Sequence, residues 1–422
     1  MKEDFLHYIW QYKKFDFVNL KTISGENLSI IKVGEFTQLA GPDFFNAQIE
    51  IDQQKWAGNI EIHVKSSDWY VHNHERDDNY DSVILHVVWE HDAAIFRKDN
   101  SEIPVLELKK QVSPALIHQY EKLKATKSWI YCENEIKTIP DFVLKNWQER
   151  LFFERLERKS SPIEALLFEN HNDWEATFFC FLAKNFGLNT NGESFLKIAQ
   201  SIPFSILRKE AFEVENLEAI LFGRANLLEK DKEDIYFEDL KQRWNYIQNK
   251  YQLENIFINS VQFFKHRPDN FPTIRLSQLA NLYHTHQNLF SKVIDAKNIE
   301  ELYKIFNVSV SEYWQTHYNF DKISPKKAKL LSKSFIDLLI INTIIPFRFA
   351  YEKSLGKETA EENIEFLEKI APEKNAIIDK FKAIGITSKS AFETQSLLQL
   401  KNEYCNKSNC LQCAVGLELL KN

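Results

Sequence analysis

The segment AGNIEIHVKSSDWYVHNH, residues 57–74, carries acidic, imidazole and amine side chains at regular spacing. Glu61, His63 and Lys65 alternate with apolar residues, so a β-strand would project all three on one face, about 7 Å apart. An acid, an imidazole and an amine that share one face can bind a divalent cation and move protons beside it. The segment therefore contains a candidate active site.

A second acid, Asp43 in GPDFF, precedes the strand before Glu61. Two carboxylates can hold Mg²⁺ or Mn²⁺, which polarises a phosphate and lowers the pKa of a water, while a nearby base or cation orients that water. We expect Asp43 and Glu61 to be the metal ligands. Lys65, or His63 in its place, would position or activate the water. The predicted chemistry is hydrolysis of a phosphodiester.

The histidines permit a different metal centre. Five of the chain's twelve histidines fall within 29 residues: His63, His72, His74, His86 and His91. His72-x-His74 followed by Glu75 is similar to the ligand spacing of cupin-type barrels, and imidazoles suit Zn, Fe or Ni. Without a metal, His86 would be a hydrogen-bonded core residue of an apolar strand, and HNHERDD would be a solvated loop.

An alternating pattern between about residues 20 and 112 predicts the sheet that would hold these side chains. In FNAQIEID, one face carries Phe45, Ala47, Ile49 and Ile51. The alternation resumes in NIEIHVK, so we expect a hairpin that turns through DQQKWAG. NLSIIKV and EIPVLELKK are further candidate strands, SVILHVVW has the composition of a strand covered on both faces, and EDFLHYIWQY predicts an opening helix.

The spacing of apolar residues becomes helical after Pro114, as in PDFVLKNWQERLFFERLERK and PTIRLSQLANLYHTH. The most hydrophobic stretch, residues 335–351, is shorter than the ~20 apolar residues of a membrane span and predicts a buried helix. We predict an α+β protein with two domains. Residues 1–114 form a mixed-sheet domain in the order helix, three strands, connector, strand, and residues 115–422 form a larger, mostly α-helical domain.

The charge distribution restricts the function. Residues 1–114 contain 12 Lys and Arg against 19 Asp and Glu, whereas the remainder of the chain is balanced at 41 of each. Such a balance argues against tight nonspecific binding to nucleic acid, which requires neutralisation of phosphates. It is compatible with an enzyme whose carboxylates bind a cation before the phosphate arrives.

The termini and cysteine content bear on location. The start, MKEDFLHYIWQYKKFDF, lacks the basic flank and apolar run of a signal peptide. Five cysteines without an even spread do not suggest a disulfide framework. We therefore expect a cytoplasmic protein without a membrane partner.

The segment GPDFFNAQIEIDQQKWAGNIEIHVK resembles the PD-(D/E)XK phosphodiesterase superfamily, which includes restriction enzymes and DNA-repair nucleases. The predicted order of elements is also similar to the core of that superfamily, over about residues 3–90. The resemblance implies that Asp43 is the first motif acid and Glu61 the second. His63 stands at the expected Lys position and Lys65 lies two residues further on, so an active and an inactive nuclease fold are both compatible with the match.

Nearly the whole chain resembles a family of uncharacterised bacterial proteins known as domain-of-unknown-function family 2851. The segments that carry this resemblance are GPDFFNAQI, GNIEIHVKSSDWYVHNH, YDSVILHVVWEHD, RPDNFPTIRLSQLA and YCNKSNCLQCAVG. This resemblance implies no activity.

Three cysteines near the C-terminus, Cys405, Cys410 and Cys413, fall within nine residues. Their x4 and x2 spacing suits tetrahedral zinc or an iron–sulfur cluster, and Cys132 is the expected fourth ligand because Cys180 lies in an apolar helix. One upstream cysteine with three near the C-terminus also resembles the iron–sulfur staple of some PD-(D/E)XK nucleases. The alternative is a set of buried thiols without an ion.

We therefore expect a Mg²⁺- or Mn²⁺-dependent phosphodiesterase that acts on DNA or RNA. Two alternatives remain open: a non-catalytic binding or scaffold protein with a structural metal site, and a histidine-centred metalloprotein of cupin type.

Overall fold

A computed structural model describes residues 2–37, 41–125, 128–229, 232–254, 261–264, 266–357 and 360–421. The chain forms two compact units, of which the first contains Met1–Trp147 and Leu400–Asn422 and the second contains Gln148–Gln399. The first unit extends past the predicted division at residue 114 and also includes the C-terminal segment. This segment belongs there because Leu411 and Leu420 pack into the hydrophobic core of the sheet.

The first unit is built on one mixed sheet. Its strands are β1 (Leu20–Lys21), β2 (Asn27–Lys32), β3 (Glu35–Phe36), β4 (Phe44–Ile51), β5 (Gln54–Lys65), β6 (Val83–Glu90) and β7 (Val105–Glu107). Their order is β1-β2-β4-β5-β6-β7, with β3 paired to β4. The pairs from β1 to β5 are antiparallel, and β6 pairs in parallel with both β5 and β7.

Helices dominate the rest of the described chain. They are α1 (Glu3–Gln11), α2 (Asp68–Val71), α3 (Pro114–Ala125), α4 (Asp141–Glu169), α5 (Trp174–Phe186), α6 (Leu188–Gln200), α7 (Phe204–Glu210), α8 (Val214–Arg224), α9 (Ile235–Tyr251), α10 (Pro272–Thr285), α11 (Leu289–Asp295), α12 (Ile299–Ile305), α13 (Glu312–Thr316), α14 (Lys333–Leu339), α15 (Ile345–Ser354), α16 (Ala360–Glu368), α17 (Ala376–Ala383), α18 (Ala391–Gln399) and α19 (Ala414–Leu419). The predicted α+β class, a mixed sheet followed by a larger helical region, is confirmed.

The predicted hairpin forms between β4 and β5, but its turn is tighter than expected. Asp52 and Gln53 alone make the turn, with φ of 42° and 69°, and β5 begins at Gln54. Two residues with positive φ match the right-handed twist of the flanking strands, so a longer loop is unnecessary. The segment QKWAG therefore belongs to the strand.

A bulge at the start of β4 corrects one predicted face. The sequence pattern placed Phe45 on the core side, whereas Phe44 is the residue that is fully buried. Asn46 has φ 56°, and the pairing with β5 shifts between Phe44 and Ala47. The extra residue reverses the alternation at this point, as bulges do.

The parallel pair β5 and β6 requires a crossover, which α2 and two short 3₁₀ turns, His74–Arg76 and Asp78–Tyr80, supply. Helix α1 contacts β5 and buries one apolar side of its amphipathic sequence. Its buried residues are Phe5, Leu6, Tyr8, Ile9 and Trp10. The order helix, antiparallel strands, connector and parallel strand thus agrees with the predicted order.

The second unit is helical around a core rich in phenylalanine, including Phe178, Phe179, Phe186 and Phe222. A small hairpin of β8 (His317–Asn319) and β9 (Lys322–Ile323) interrupts the helices and was not predicted. One helical stretch of the described chain, Lys333–Ser354, has the length and apolar composition of a membrane span. Because 67% of its most apolar window is buried by the protein, it has the character of a core helix.

Candidate functional site

The hairpin brings the two predicted acids together. Asp43 directly precedes β4, and Glu61 lies in β5 next to Ile60, which pairs with Phe44. The Asp43 backbone N–H donates to Glu61 Oε2 at 3.1 Å, and the Ile62 N–H donates to Asp43 Oδ2 at 3.0 Å. The predicted proximity of the two carboxyl groups is therefore present in the fold.

The other oxygen of Glu61 faces histidines. Glu61 Oε1 lies 3.5 Å from His63 Nε2 and 3.4 Å from His74 Nε2, and His63 Nε2 lies 3.0 Å from His72 Nδ1. One ring nitrogen from each histidine falls within 4.8 Å of the others. We call Glu61, His63, His72 and His74 the Glu61–histidine cluster.

The connector after β5 makes this cluster. From the sequence, His72 and His74 were expected in a solvated loop or in a metal centre different from that of the two acids. The chain instead turns at Asn73, where φ is 60°, and returns both rings to the strand face. Trp69 is fully buried beside His74, and Tyr80 stacks on the His74 ring with centroids 3.7 Å apart. Packing of these aromatic rings holds the connector in place.

The separations within the cluster suit a bound ion. Ligand atoms bonded to one metal at about 2.1 Å lie about 3.0 to 3.4 Å apart in octahedral and tetrahedral coordination. The separations from Glu61 Oε1 to His63 Nε2 and His74 Nε2, and from His63 Nε2 to His72 Nδ1, are 3.0 to 3.5 Å and lie close to this range, whereas 3.4 to 3.5 Å is long for a direct hydrogen bond. Within the described chain, the buried His74 Nε2 has no hydrogen-bond partner. This nitrogen thus faces Glu61 Oε1 at 3.4 Å without a hydrogen bond.

The protonation states favour metal binding. Burial, with the charge of Asp43, raises the pKa of Glu61 to about 9. Burial, with the adjacent imidazoles, lowers the pKa of His63 to about 2. Burial also lowers the pKa of His74. The His63 and His74 rings are therefore neutral, as metal ligands must be.

His86 contacts the Glu61–histidine cluster through His63. Its Nε2 lies 2.8 Å from His63 Nδ1, and the ring is completely buried, which lowers its pKa to about 3. When His63 Nδ1–H donates to His86, the lone pair of His63 Nε2 faces Glu61. The expectation that His86 is a hydrogen-bonded core residue is confirmed, and this contact orients a candidate ligand.

His7 is a further residue of the site, beside Asp43, and the sequence analysis did not identify it. His7 of α1 places Nε2 3.1 Å from Asp43 Oδ2. Although burial opposes protonation of His7, the interaction with Asp43 outweighs it and raises the pKa of His7. The available signal was the spacing of Glu3 and His7, one helical turn apart on the polar side of the opening helix.

Lys65 has a different environment from the acids. Its Nζ lies 3.9 Å from Asp92 Oδ2, and 55% of its side chain is exposed. Throughout the described residues, Lys65 forms no ion pair with Asp43 or Glu61. The reason is local, because β5 ends at Lys65 and the side chain extends into solvent.

A cavity of about 450 Å³ adjoins Asp43 and His7. Its other lining residues are Glu3, Asp4, Tyr8, Gln11, Phe36, Thr37, Ser408, Asn409, Leu411 and Gln412. This volume lies in the range of sites for small ligands. The cavity is therefore large enough for a small ligand beside Asp43 and His7.

The four predicted cysteine ligands also converge. Cys132, Cys405, Cys410 and Cys413, here called the cysteine cluster, line one cavity of about 20 Å³. None of them forms a disulfide, and Cys180 is buried in α5, as expected. The structure thus brings together every predicted site residue except Lys65, in two separate clusters of the first unit.

The matching family model is described as "Protein of unknown function (DUF2851)" and covers residues 3–376. The matched range contains Asp43 and the Glu61–histidine cluster and ends before Cys405. No curated protein and no solved structure matches the chain.

Proposed function

The chain belongs to DUF2851, a family of proteins of unknown function, and we propose that it is a divalent-metal-dependent phosphodiesterase acting on nucleic acid. The observation that carries the proposal is the position of Glu61 Oε1, 3.4 Å from His74 Nε2 and 3.5 Å from His63 Nε2. Asp43 adjoins this group through its hydrogen bond to Glu61. The order of helix, strands and connector supports the proposed relationship to PD-(D/E)XK nucleases.

The donor set favours Mn²⁺ over Mg²⁺. Three imidazole nitrogens and one carboxylate oxygen suit Mn²⁺, Fe²⁺ or Zn²⁺, whereas Mg²⁺ prefers oxygen ligands and retains its waters. The raised pKa of Glu61 supports a cation at this place, because a bound ion would replace the proton on the carboxyl. Exposed His72 leaves one side of the Glu61–histidine cluster open to solvent.

A bound divalent cation supplies Lewis acidity at a phosphate oxygen and lowers the pKa of a water. The chain's own contribution is the pair of His7 and Asp43, which line the adjoining cavity. Asp43 favours the protonated form of His7, so the imidazolium can bind the phosphate and donate a proton to the leaving oxygen. Lys65, predicted to position water, is paired instead with Asp92, and we assign proton transfer to His7.

The substrate class follows from charge and cavity size. Acids outnumber basic residues in 1–114, so the ion would provide the attraction for phosphate that the side chains lack. A cavity of about 450 Å³ accommodates a nucleotide unit but not a duplex. We therefore propose single-stranded DNA or RNA, or strand ends, as the substrate.

The test is cleavage of labelled single- and double-stranded DNA and RNA by the full chain with Mn²⁺, Mg²⁺ or a chelator. We expect Mn²⁺-dependent cleavage that falls at least 100-fold in the Asp43→Ala, Glu61→Ala double variant. Glu35→Gln is the matched control, because Glu35 is exposed and pairs only with Lys32 among described residues. Equal cleavage in all variants, or none in any, would refute the proposal.

The absence of cleavage together with tight Mn²⁺ binding would favour the non-catalytic scaffold. The cupin alternative receives less support from the fold, because the sheet is open, with β1 and β7 at its edges, rather than closed into a barrel. The histidines come from one strand and its connector instead.

A further inference from the structure

We propose that the cysteine cluster binds one structural Zn²⁺ through four thiolates. The proposal is independent of the phosphodiesterase chemistry, because it concerns different residues of the first unit. It rests on how the four thiols converge and on the size of the space between them.

The thiols come from two distant parts of the chain. Cys132 lies in a turn. The Cys132 carbonyl oxygen accepts hydrogen bonds from the backbone N–H groups of Glu135 and Ile136. The other three come from the C-terminal segment: Cys405 ends the π-helical turn Leu400–Cys405, Cys410 begins the 3₁₀ turn Cys410–Gln412, and Cys413 follows it. Cys405 follows Cys132 by 273 positions. Such convergence does not arise from local sequence spacing.

The enclosed space fits one ion. Its volume is about 20 Å³, and a single water-sized occupant needs about 10 to 15 Å³. Four cysteine ligands around one ion leave no open coordination position, which is the arrangement of structural zinc sites. The four cysteine ligands therefore suit a closed zinc site, and the metal analysis below distinguishes zinc from an iron–sulfur cluster.

The surroundings disfavour a cluster of empty thiolates. Apolar and aromatic residues complete the lining: Tyr131, Leu400, Tyr404, Val415 and Gly416. A divalent cation is needed to stabilise the thiolates, and its binding would release one proton from each of the four thiols to solvent.

The backbone is shaped around this site. A Cβ at Gly416 would lie 2.1 Å from the Cys410 carbonyl oxygen, so only glycine permits α19 to approach the turn. The close approach places Cys410 and Cys413 on the same cavity. An ion there would join the C-terminal segment to the turn at Cys132 and close the discontinuous first unit.

The first test is metal release from the unmodified full chain. Titration with a thiol-specific mercurial in the presence of a chromogenic zinc chelator should release one Zn²⁺ per chain as four thiols react. Release of no zinc would overturn the proposal. Iron and sulfide in stoichiometric amounts, with broad visible absorption, would also overturn it in favour of an iron–sulfur cluster.

The second test compares variants by elemental analysis after removal of loosely bound metal. Cys405→Ser and Cys413→Ser should each retain at least tenfold less zinc than the unmodified chain. Cys180→Ser is the matched control. Cys180 lies in α5, which belongs to the second unit, and it is distant in sequence from the cysteine cluster. Full zinc retention in the Cys405 and Cys413 variants would contradict the assignment, and Glu61→Gln should retain this zinc.

Discussion

Replacement of Glu61 by Gln should have opposite effects on the metal-free and the metal-bound protein. Glu61 is 5% exposed, and burial raises its pKa from 4.5 to about 9. Between these values the folded chain holds a proton that the unfolded chain has lost, so stability falls as pH rises. The slope is about 1.4 kcal/mol per pH unit. At pH 7, which is 2.5 units above 4.5, the cost reaches about 3 kcal/mol.

Gln lacks this titration and retains a carbonyl oxygen that can accept from the Asp43 N–H. In the presence of a chelator at pH 7, the free energy of unfolding of Glu61→Gln should therefore exceed that of the parent by up to about 3 kcal/mol. Near pH 4.5 the two free energies should be about equal. With Mn²⁺ at 100 times its Kd, the parent should gain about 2.7 kcal/mol and the variant almost none.

Hydrogen exchange followed by mass spectrometry on peptides from β5 and β6 would measure both effects within the first unit. Glu35→Gln removes an exposed acid and should behave as the parent does. The reasoning is refuted if Glu61→Gln shows the same pH dependence as the parent, or if Mn²⁺ still protects the variant.

Further predictions concern the groups around the two clusters. His86→Leu removes the hydrogen bond that orients His63 and should weaken Mn²⁺ binding 10- to 100-fold in calorimetry. His7→Gln should lower cleavage about 10²- to 10⁴-fold with Mn²⁺ affinity unchanged, and a parallel fall in affinity would contradict its role in proton transfer. Lys65→Ala should change cleavage less than about fivefold, because an exposed ion pair contributes at most about 1 kcal/mol. Gly416→Ala should destabilise the first unit by about 1 to 3 kcal/mol in urea unfolding and release zinc, and unchanged stability would refute the close approach.

Local patterns predicted the elements that carry the acids. Alternation of apolar and polar residues identified β4 and β5, and the hairpin between them placed Asp43 near Glu61 because Phe44 pairs with Ile60. The hairpin required only short-range information. The bulge at Asn46 escaped the prediction, because a binary pattern does not show where one residue adopts a positive φ.

Contacts between distant elements could not be read from periodicity. The return of His72 and His74 to β5 depends on the packing of Trp69 and on the turn at Asn73. The contact of His7 with Asp43 depends on the position of α1 over the sheet. Side chains that act together can thus come from elements whose sequence patterns are each ordinary.

The C-terminal segment, too, could be predicted only in part from the sequence. The spacing of Cys405, Cys410 and Cys413 predicted a common site, and their convergence with Cys132 is present in the fold. The segment belongs to the first unit because Leu411 and Leu420 are buried in the core of the sheet. The sequence pattern did not predict this, because the region before the segment has helical spacing.

Anomalous diffraction from crystals of the full chain soaked in Mn²⁺ tests the central claim most directly. One manganese peak should lie about 2.1 Å from Glu61 Oε1 and from nitrogens of at least two of His63, His72 and His74. A crystal of Glu61→Gln soaked in the same solution should lack the peak. Absence of manganese from the Glu61–histidine cluster in the parent, or a peak of equal height in the variant, would contradict the account.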